Sequence, residues 1–145
     1  MQAAIGCEQL KKFPTFIERR RHNWERLYKA LEGVQDKLIL PEPAENSNPS
    51  WFGFLISVKL ESGLDRNLIT HYIEEHNIQT RLLFSGNIIK HPCFDQIRET
   101  SAYRVVGNLD KTEFIMNNTF WVGVYPGMTD EQIDYMAKVI KEAIR

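Results

Sequence analysis

A short polar segment offers the clearest candidate chemistry in this chain. Arg81 lies in a predicted strand that leads into the turn Ser85-Gly86-Asn87. A guanidinium, a hydroxyl, a carboxamide and free backbone N–H groups are the donors that bind phosphates and polyhydroxylated sugars. The residue types are equally compatible with an Arg81 that pairs with a nearby acid and a Gly86 that supplies a positive φ. The segment therefore predicts a phosphate or sugar site, with a purely structural turn as the alternative.

Aromatic residues at two other predicted strands are the second candidate for a ligand surface. Trp51 and Phe52 directly follow a polar loop, and Asn117 precedes a strand that contains Trp121. Side-chain amides at a strand entrance can bind a ligand or cap a helix. Period-two alternation predicts that Phe52 faces the buried side, which favours packing over ligand contact for this ring.

The titratable residues show no metal-binding pattern in the sequence. His71 and His76 are separated by about 140° around an ideal helix, so they do not share a face. His91 is close to Cys93, but nothing nearby completes a tetrahedral set, and Cys7 lies far away without CxxC spacing. The sequence also lacks GxSxG, HExxH, Walker and GxGxxG patterns. We expect neither a metal site nor a nucleophile–base pair within this chain.

Hydrophobic periodicity predicts the elements that position these residues. A helical pattern runs from the N-terminus to Gly33, with a break or kink expected at Pro14 and an apolar stripe that includes Trp24 and Leu27. Strands are predicted at 37–40, 51–61, 80–84 and 120–125, and helices at 65–75, 93–100, 112–117 and from Thr129 onward. This order predicts an α+β fold, a small and mostly antiparallel sheet covered by helices.

Four finer expectations concern individual side chains. The strand at 51–61 is predicted to bury Phe52 and Leu60 on one face, and the helix at 65–75 is predicted to turn Leu68 inward. Thr129 and Gln132 have the spacing of a capping box. The basic run at 18–22 is predicted to be a solvated helix face whose charged partners lie on the same helix.

Composition bounds the class of protein. The chain has 145 residues, 43% of them hydrophobic and 26% charged, and a net charge of −1. One domain of this size can bury a core without disulfides or metal. The charge balance gives no argument for nucleic acid or an anionic membrane, and no apolar run reaches the length of a membrane helix. With no signal-peptide pattern and no disulfide framework, we expect a cytoplasmic protein.

Several segments together resemble one known family, the sugar dehydratases of the DegT/DnrJ/EryC1/StrS aminotransferase group. The resemblance extends over essentially the whole chain and is carried by the segments 1–6, 19–23, 49–54, 86–87, 103–107 and 120–127. It implies the C-terminal small domain of a fold-type I enzyme dependent on pyridoxal phosphate (PLP). Residues 1–33 would then form a helical connection to a large domain, and residues 34–145 the small domain.

The resemblance also implies the chemistry of the whole enzyme. A pyridoxal or pyridoxamine phosphate cofactor and a 2Fe-2S cluster would be held outside this chain. The substrate would be a CDP-4-dehydro-6-deoxyhexose, on the route to 3,6-dideoxyhexoses of O-antigen lipopolysaccharide. A separate iron–sulfur/flavin reductase would supply electrons, and the enzyme would be a homodimer. This chain would contain no catalytic residue and would contribute a wall of the sugar site, formed by Phe52, Arg81, Ser85, Gly86, Asn87, Asn117 and Trp121.

Two local differences bear on that interpretation. Sugar aminotransferases of this group usually carry His at the position that resembles Phe52, and a ring without a proton-transfer group fits a dehydratase. The run at 108–113 departs from the usual Glu-Leu-Thr-Asn-Thr-Asp of the dehydratase branch, and Phe114 replaces a usual Arg. The alternatives are a small domain of a PLP-dependent nucleotide-sugar aminotransferase and a non-catalytic α+β binding or dimerisation module.

Overall fold

The computed structural model describes residues 2–145, so Met1, the first residue of the predicted helical segment 1–33, lies outside the described residues. Four α-helices and four strands follow in the order α1 (Gln2–Ala30), β1 (Leu38–Ile39), β2 (Gly53–Val58), α2 (Arg66–Glu75), β3 (Thr80–Leu82), α3 (Asp110–Asn118), β4 (Thr119–Gly123) and α4 (Asp130–Ala143). Short 3-10 helices occupy Leu60–Ser62, Ile88–Lys90 and Pro92–Ile97.

The strands form one antiparallel sheet in the order β1-β2-β4-β3. β4 is central and pairs Trp121 with Leu55 of β2 and with Arg81 of β3. One face of the sheet presents buried side chains such as Phe54 and Phe120, and α1, α2 and α4 contribute apolar residues to the same core. The predicted α+β fold, a small antiparallel sheet covered by helices, is confirmed.

Helix α1 is continuous, and the predicted break at Pro14 is wrong. Pro14 lies inside the helix and removes the N–H that would have bonded to the carbonyl of Leu10. Both residues are exposed, so water can bind that carbonyl in place of the missing N–H. Residues 2–16 are all exposed, whereas Trp24, Leu27 and Leu31 are buried, as the apolar stripe predicted.

Two side-chain directions differ from the prediction. Leu60 is 68% exposed because β2 ends at Val58 and a 3-10 turn follows, which interrupts the alternation. Leu68 is 72% exposed, while Ile69 and Ile73 supply the buried face of α2. Leu68 is one residue, about 100° around the helix, from Ile69. It therefore lies off the side that Ile69 and Ile73, four residues apart, share.

Two residues of the basic run, Arg19 and His22, pair with α4 and not with their own helix as predicted. Arg19 donates to Asp130 Oδ1 at 2.9 Å, and His22 Nε2 lies 3.0 Å from the same oxygen. Arg26 contacts Asp130 and also binds Asp134 through Nε and Nη2, at 2.8 and 2.7 Å. These five residues, here called the α1–α4 ion-pair cluster, fix the start of α4 against α1. Within residues 2–145, no helix is both long and apolar enough to span a membrane.

Candidate functional site

A cleft of about 800 Å³ opens at one end of the sheet, where β4 ends and β3 begins. Clefts of this size are typical of small-molecule sites in proteins. Its sheet side contains Phe52, Arg81 and Trp121. The turn before β3 and the first turns of α4 form the opposite side, with His76, Gln79, Tyr125, Glu131, Gln132 and Tyr135 among the lining residues. Three of the seven predicted site residues are therefore in one cleft.

Phe52 points into this cleft, so the prediction that it faces the buried side is wrong. The chain bends at Phe52, just before β2, and this bend breaks the alternation expected from the strand pattern. Trp51 turns toward the core instead and packs against Trp24. Phe52 is 69% exposed, and its ring lies 5.2 Å from that of Trp121 at an interplanar angle of 51°. A tilted pair of this kind forms an apolar wall with a favourable ring geometry.

The position of Trp121 depends on the absence of a side chain at Gly53. An ideal Cβ on Gly53 would lie 2.6 Å from Cε3 of Trp121 and 3.1 Å from the carbonyl oxygen of Val122. Only glycine allows the indole to lie this close to the β2 backbone. Gly53 pairs directly with Gly123 of β4, where a Cβ would meet nothing within 4 Å. Of these two paired glycines, only Gly53 is therefore needed for the position of the Trp121 ring.

Arg81 is an exposed cation beside the aromatic wall. It pairs in register with Trp121, and its side chain makes no hydrogen bond or ion pair with any of residues 2–145. The alternative in which Arg81 pairs with a neighbouring acid is therefore not what the structure shows. A free guanidinium can bind the oxygens of a phosphate or carboxylate through two parallel hydrogen bonds.

The turn Ser85-Gly86-Asn87 lies at the other end of β3, beside α3, and none of its residues lines the cleft. Gly86 has φ +73°, and an added Cβ would lie 2.8 Å from Cγ of Met116. The Asn87 side chain is 3% exposed and donates to the carboxylate of Glu113, while its Oδ1 accepts from the Ile89 N–H at 3.3 Å. The positive φ of Gly86 and the contacts of Asn87 are therefore accounted for by packing within the protein.

Ser85 and Asn117 complete the seven predicted site residues. Ser85 is exposed, and its carbonyl oxygen lies 2.6 Å from Nε2 of His91. Asn117 is exposed on α3 and does not line the cleft. The structure thus separates the seven residues into a cleft group, a turn group and Asn117. Their contacts with a ligand remain a prediction.

None of the site residues predicted from the sequence lies on α4, although α4 forms one side of the cleft. Tyr135 donates from its hydroxyl to the carbonyl of His76 at 3.3 Å, which joins α4 to the turn before β3. Glu131 has its pKa lowered by its own backbone N–H and by Thr129, so it is anionic at neutral pH. The polar face of α4 was the available signal, because Glu131 and Gln132 belong to the first turn that the capping box defines.

The residues of this chain do not fit an iron–sulfur cluster. Cys7 and Cys93 are exposed free thiols, and within residues 2–145 no group of three or more His, Cys, Asp or Glu could hold a metal ion. Thiolate-held clusters need several converging cysteines. For PLP the fit is partial: Arg81 can bind a phosphate, but the cleft lining contains no lysine for a covalent bond to the cofactor.

Comparison with solved structures defines the class of domain. A structure of Escherichia coli GDP-4-keto-6-deoxy-D-mannose-3-dehydratase with bound hydrated PLP superposes with a TM-score of 0.80 at 32% identity, over 94% of this chain and 34% of that one. The Helicobacter pylori aminotransferase PseC shares the fold with a TM-score of 0.81 at 15% identity, over 99% of this chain and 36% of that one. The α+β fold is that of the small domain of PLP-dependent aminotransferase-fold enzymes.

The chain belongs to the DegT/DnrJ/EryC1/StrS aminotransferase family, whose model matches residues 1–141. It is 44% identical to the dTDP-4-dehydro-2,6-dideoxy-D-glucose 3-dehydratase of Saccharopolyspora spinosa, over 99% of this chain and 30% of the relative. It is 45% identical to the lipopolysaccharide biosynthesis protein RfbH of Salmonella typhimurium, over 98% of this chain and 32% of the relative. The chain therefore spans about a third of the length of the relatives it matches.

Proposed function

We propose that this chain is the C-terminal small domain of a PLP-dependent nucleotide-sugar 3-dehydratase. The observation that carries the proposal is identity of 44% to a nucleotide-sugar 3-dehydratase along 99% of the chain. The similar identity to a lipopolysaccharide biosynthesis protein supports a role in making 3,6-dideoxyhexoses for O-antigen. Within this proposal the substrate is CDP-4-dehydro-6-deoxyglucose, and the enzyme is a cytoplasmic homodimer.

The proposed boundary between the connecting segment and the small domain is supported by the exposed apolar residues of α1. Residues 1–33 connect to a large domain, and residues 34–145 form the small domain. The exposed half of α1 supports this assignment, because Ile5, Leu10 and Phe13 are 63%, 71% and 54% exposed on it. Apolar side chains grouped on one exposed segment are typical of a surface that another part of a protein covers. The chain is proposed to be inactive without that domain.

The cleft is proposed to bind and orient the nucleotide sugar. Arg81 binds substrate or cofactor phosphate oxygens, and Phe52 and Trp121 form the apolar wall beside them. Phe52 carries no group that transfers protons, which supports dehydration over completed transamination. The exposed Ser85 and Asn117, with the partly buried Gly86, form a second proposed contact surface on the α3 side of β3, outside the cleft. When bound, the pyridoxamine form of the cofactor supplies the electron sink for loss of the 3-hydroxyl.

Parts of the proposed enzyme lie outside this chain. The 2Fe-2S cluster, its cysteines and the residues that hold the pyridine ring of PLP belong to the large domain. A separate iron–sulfur/flavin reductase supplies electrons to the cluster. Within this proposal the chain contributes binding surface and not redox chemistry.

The test is turnover by the full-length protein that contains this chain, supplied with pyridoxamine phosphate and reductase. CDP-4-dehydro-6-deoxyglucose, its dTDP counterpart and GDP-4-keto-6-deoxy-D-mannose are compared, with glutamate present in a parallel reaction. Mass spectrometry should show loss of the 3-hydroxyl, with the highest rate for the CDP sugar. A 4-amino product would establish the aminotransferase alternative. Binding without any product would favour the non-catalytic module.

The role of Arg81 is tested in the same assay. Arg81→Ala should raise KM for the nucleotide sugar by roughly 10- to 100-fold, since a hydrogen bond to a charged group contributes about 1.5–3 kcal/mol. Arg145→Ala removes an exposed arginine outside the cleft and should leave KM unchanged. Equal KM values for the two variants would contradict the assignment of Arg81.

A further inference from the structure

The segment from Ser85 to His91 is fixed to α3 by a buried contact between an amide and a carboxylate. Asn87 is 3% exposed, and its Nδ2 donates to Oε1 of Glu113. Lys90 donates to the other carboxylate oxygen of Glu113, with Nζ 2.7 Å from Oε2. One carboxylate therefore joins two points of the segment to a single position on α3.

Two further contacts fix the same turn. Met116, on α3, lies so close to Gly86 that a Cβ there would be 2.8 Å from Met116 Cγ. The backbone N–H of Asn87 also lies 3.3 Å from Met116 Sδ. In addition, His91 Nε2 is 2.6 Å from the Ser85 carbonyl oxygen. The turn is thus held from several directions at once.

The donors of this turn are nonetheless free. Within residues 2–145, the Ser85 hydroxyl and the backbone N–H groups of Ser85 and Gly86 form no hydrogen bond. Ser85 is exposed, whereas the neighbouring amide side chain of Asn87 is buried and occupied. A turn with consecutive free N–H groups and a hydroxyl can donate hydrogen bonds to an anionic oxygen.

We propose that Glu113 is a positioning residue that acts through Asn87 to hold the Ser85-Gly86 turn ready for a phosphate oxygen of the nucleotide sugar. The ligand class rests on the proposed function. Asn87 serves as the connection within the protein, and Ser85 and Gly86 make the contact. Lys90 neutralises the carboxylate, so its negative charge does not oppose an anionic ligand. Lys90 and Asn87 also lower the pKa of Glu113, which keeps it ionised at neutral pH.

The test uses matched variants of the full-length protein. Glu113→Ala removes both contacts, Glu113→Gln keeps an oxygen for Asn87, and Lys90→Met removes only the ion pair. Glu113→Ala should raise KM for the nucleotide sugar at least about 10-fold with kcat changed less than about 3-fold. Glu113→Gln should stay within about 3-fold of the wild-type KM. Lys90→Met leaves the Glu113 charge without its partner and should raise KM, but by less than Glu113→Ala does. If Glu113→Ala does not fold, Glu113→Asp, shorter by one methylene, should give the same direction.

A second readout does not depend on turnover. Hydrogen exchange of the backbone amides at 85–91 should accelerate in Glu113→Ala and not in Glu113→Gln, and the Kd for CDP, measured by calorimetry, should follow the same order. The inference is overturned if Glu113→Gln is as impaired as Glu113→Ala, or if neither KM nor Kd changes. A wild-type protein that binds CDP through this turn but does not dehydrate the sugar would contradict the proposed function alone.

Discussion

Trp24 stacks on Trp51 with ring centroids 4.5 Å apart and planes within 8° of parallel. This contact joins helix α1 to the residue that precedes the bend at the start of β2. Because Trp51 is turned toward the core, Phe52 is directed to the opposite side and reaches Trp121 in the cleft. A packing contact on the helical side of the sheet thus determines which aromatic ring the cleft receives.

The Trp24–Trp51 stack predicts different stabilities for two neighbouring variants. Trp51→Ala should lower the free energy of unfolding by roughly 2–3 kcal/mol, from lost burial of a half-buried indole and lost ring stacking. Phe52→Ala should cost less than about 1 kcal/mol, because Phe52 is 69% exposed. Urea unfolding followed by circular dichroism measures both. A larger loss for Phe52→Ala would contradict the directions of the two rings.

The paired glycines of β2 and β4 provide the second prediction. Gly53→Ala should destabilise the protein by about 1–3 kcal/mol, since its Cβ would overlap the Trp121 ring and force a shift. Gly123→Ala has open space and should change stability by less than about 0.5 kcal/mol or increase it slightly. Thermal unfolding and tryptophan fluorescence together report stability and the environment of Trp121. Identical behaviour of the two variants would argue against the close Gly53–Trp121 contact.

The α1–α4 ion-pair cluster predicts a dependence of stability on pH. His22, Arg19 and Arg26 hold the pKa of Asp130 below its usual range. A depressed carboxylate pKa contributes stability that is complete above the unfolded-state pKa, about 3.9, and is lost as pH falls through the lower folded-state value. Asp130→Asn should therefore destabilise the protein at pH 7, and this difference from wild type should shrink below about pH 4.

The control for that pH series is Asp36→Asn. Asp36 is exposed and makes no ion pair with any of residues 2–145. The Asp36→Asn variant should therefore have the same free energy of unfolding as the wild type at neutral pH. A destabilisation by Asp130→Asn that remains constant down to pH 3 would show that the carboxylate charge is not the origin of the effect.

The start of α4 gives the fourth prediction. The Thr129 hydroxyl accepts from the Gln132 N–H at 3.3 Å, and the Gln132 side chain accepts from the Thr129 N–H at 3.0 Å. Thr129→Ala should lower stability by roughly 0.5–2 kcal/mol, whereas Thr129→Ser keeps the accepting oxygen and should cost less. Chemical denaturation distinguishes them, and equal losses would mean that the methyl group, not the cap, matters.

Local signals in the sequence predicted much of the fold. The capping box at Thr129, the apolar face of α4 and the stripe of Trp24 and Leu27 are all confirmed, because each depends on residues within a few turns of one helix. The strands at β1 to β4 were found within a few residues of their observed ends. The strand order β1-β2-β4-β3 was not predicted, because pairing between distant segments leaves no local pattern.

The incorrect predictions share a physical origin. Phe52 and Leu60 lie just outside β2, where period-two alternation no longer applies. Pro14 is tolerated because it lies in an exposed stretch of helix. The basic run was expected to find partners at i+3 or i+4, but Asp130 and Asp134 are more than one hundred residues away in sequence. The ends of an element explain the errors at Phe52 and Leu60, and contacts with residues distant in sequence explain the error for the basic run.

The candidate site was only partly predictable for the same reason. Phe52, Arg81 and Trp121 meet because antiparallel pairing aligns three strands, and Ser85 lies elsewhere because β3 has two ends. Residue types alone indicated a polar ligand surface but could not show that its residues lie at two separate places, the cleft and the turn at the other end of β3. The sequence gives Glu113 no role of its own, because its partners Asn87 and Lys90 become its neighbours only in the tertiary fold.

The length of α1 has a mechanical consequence. Its 29 residues extend for about 43 Å, and the exposed stretch 2–16 accounts for about 22 Å of that length. Arg19, Asn23 and Arg26 clamp the other half onto the segment 125–134, which includes part of the cleft. A rotation of about 5° at the clamp would displace the far end of a lever arm of this length by about 2 Å. A movement of the exposed end by a few ångströms therefore tilts residues 19–26, which contact this part of the cleft, by only a few degrees.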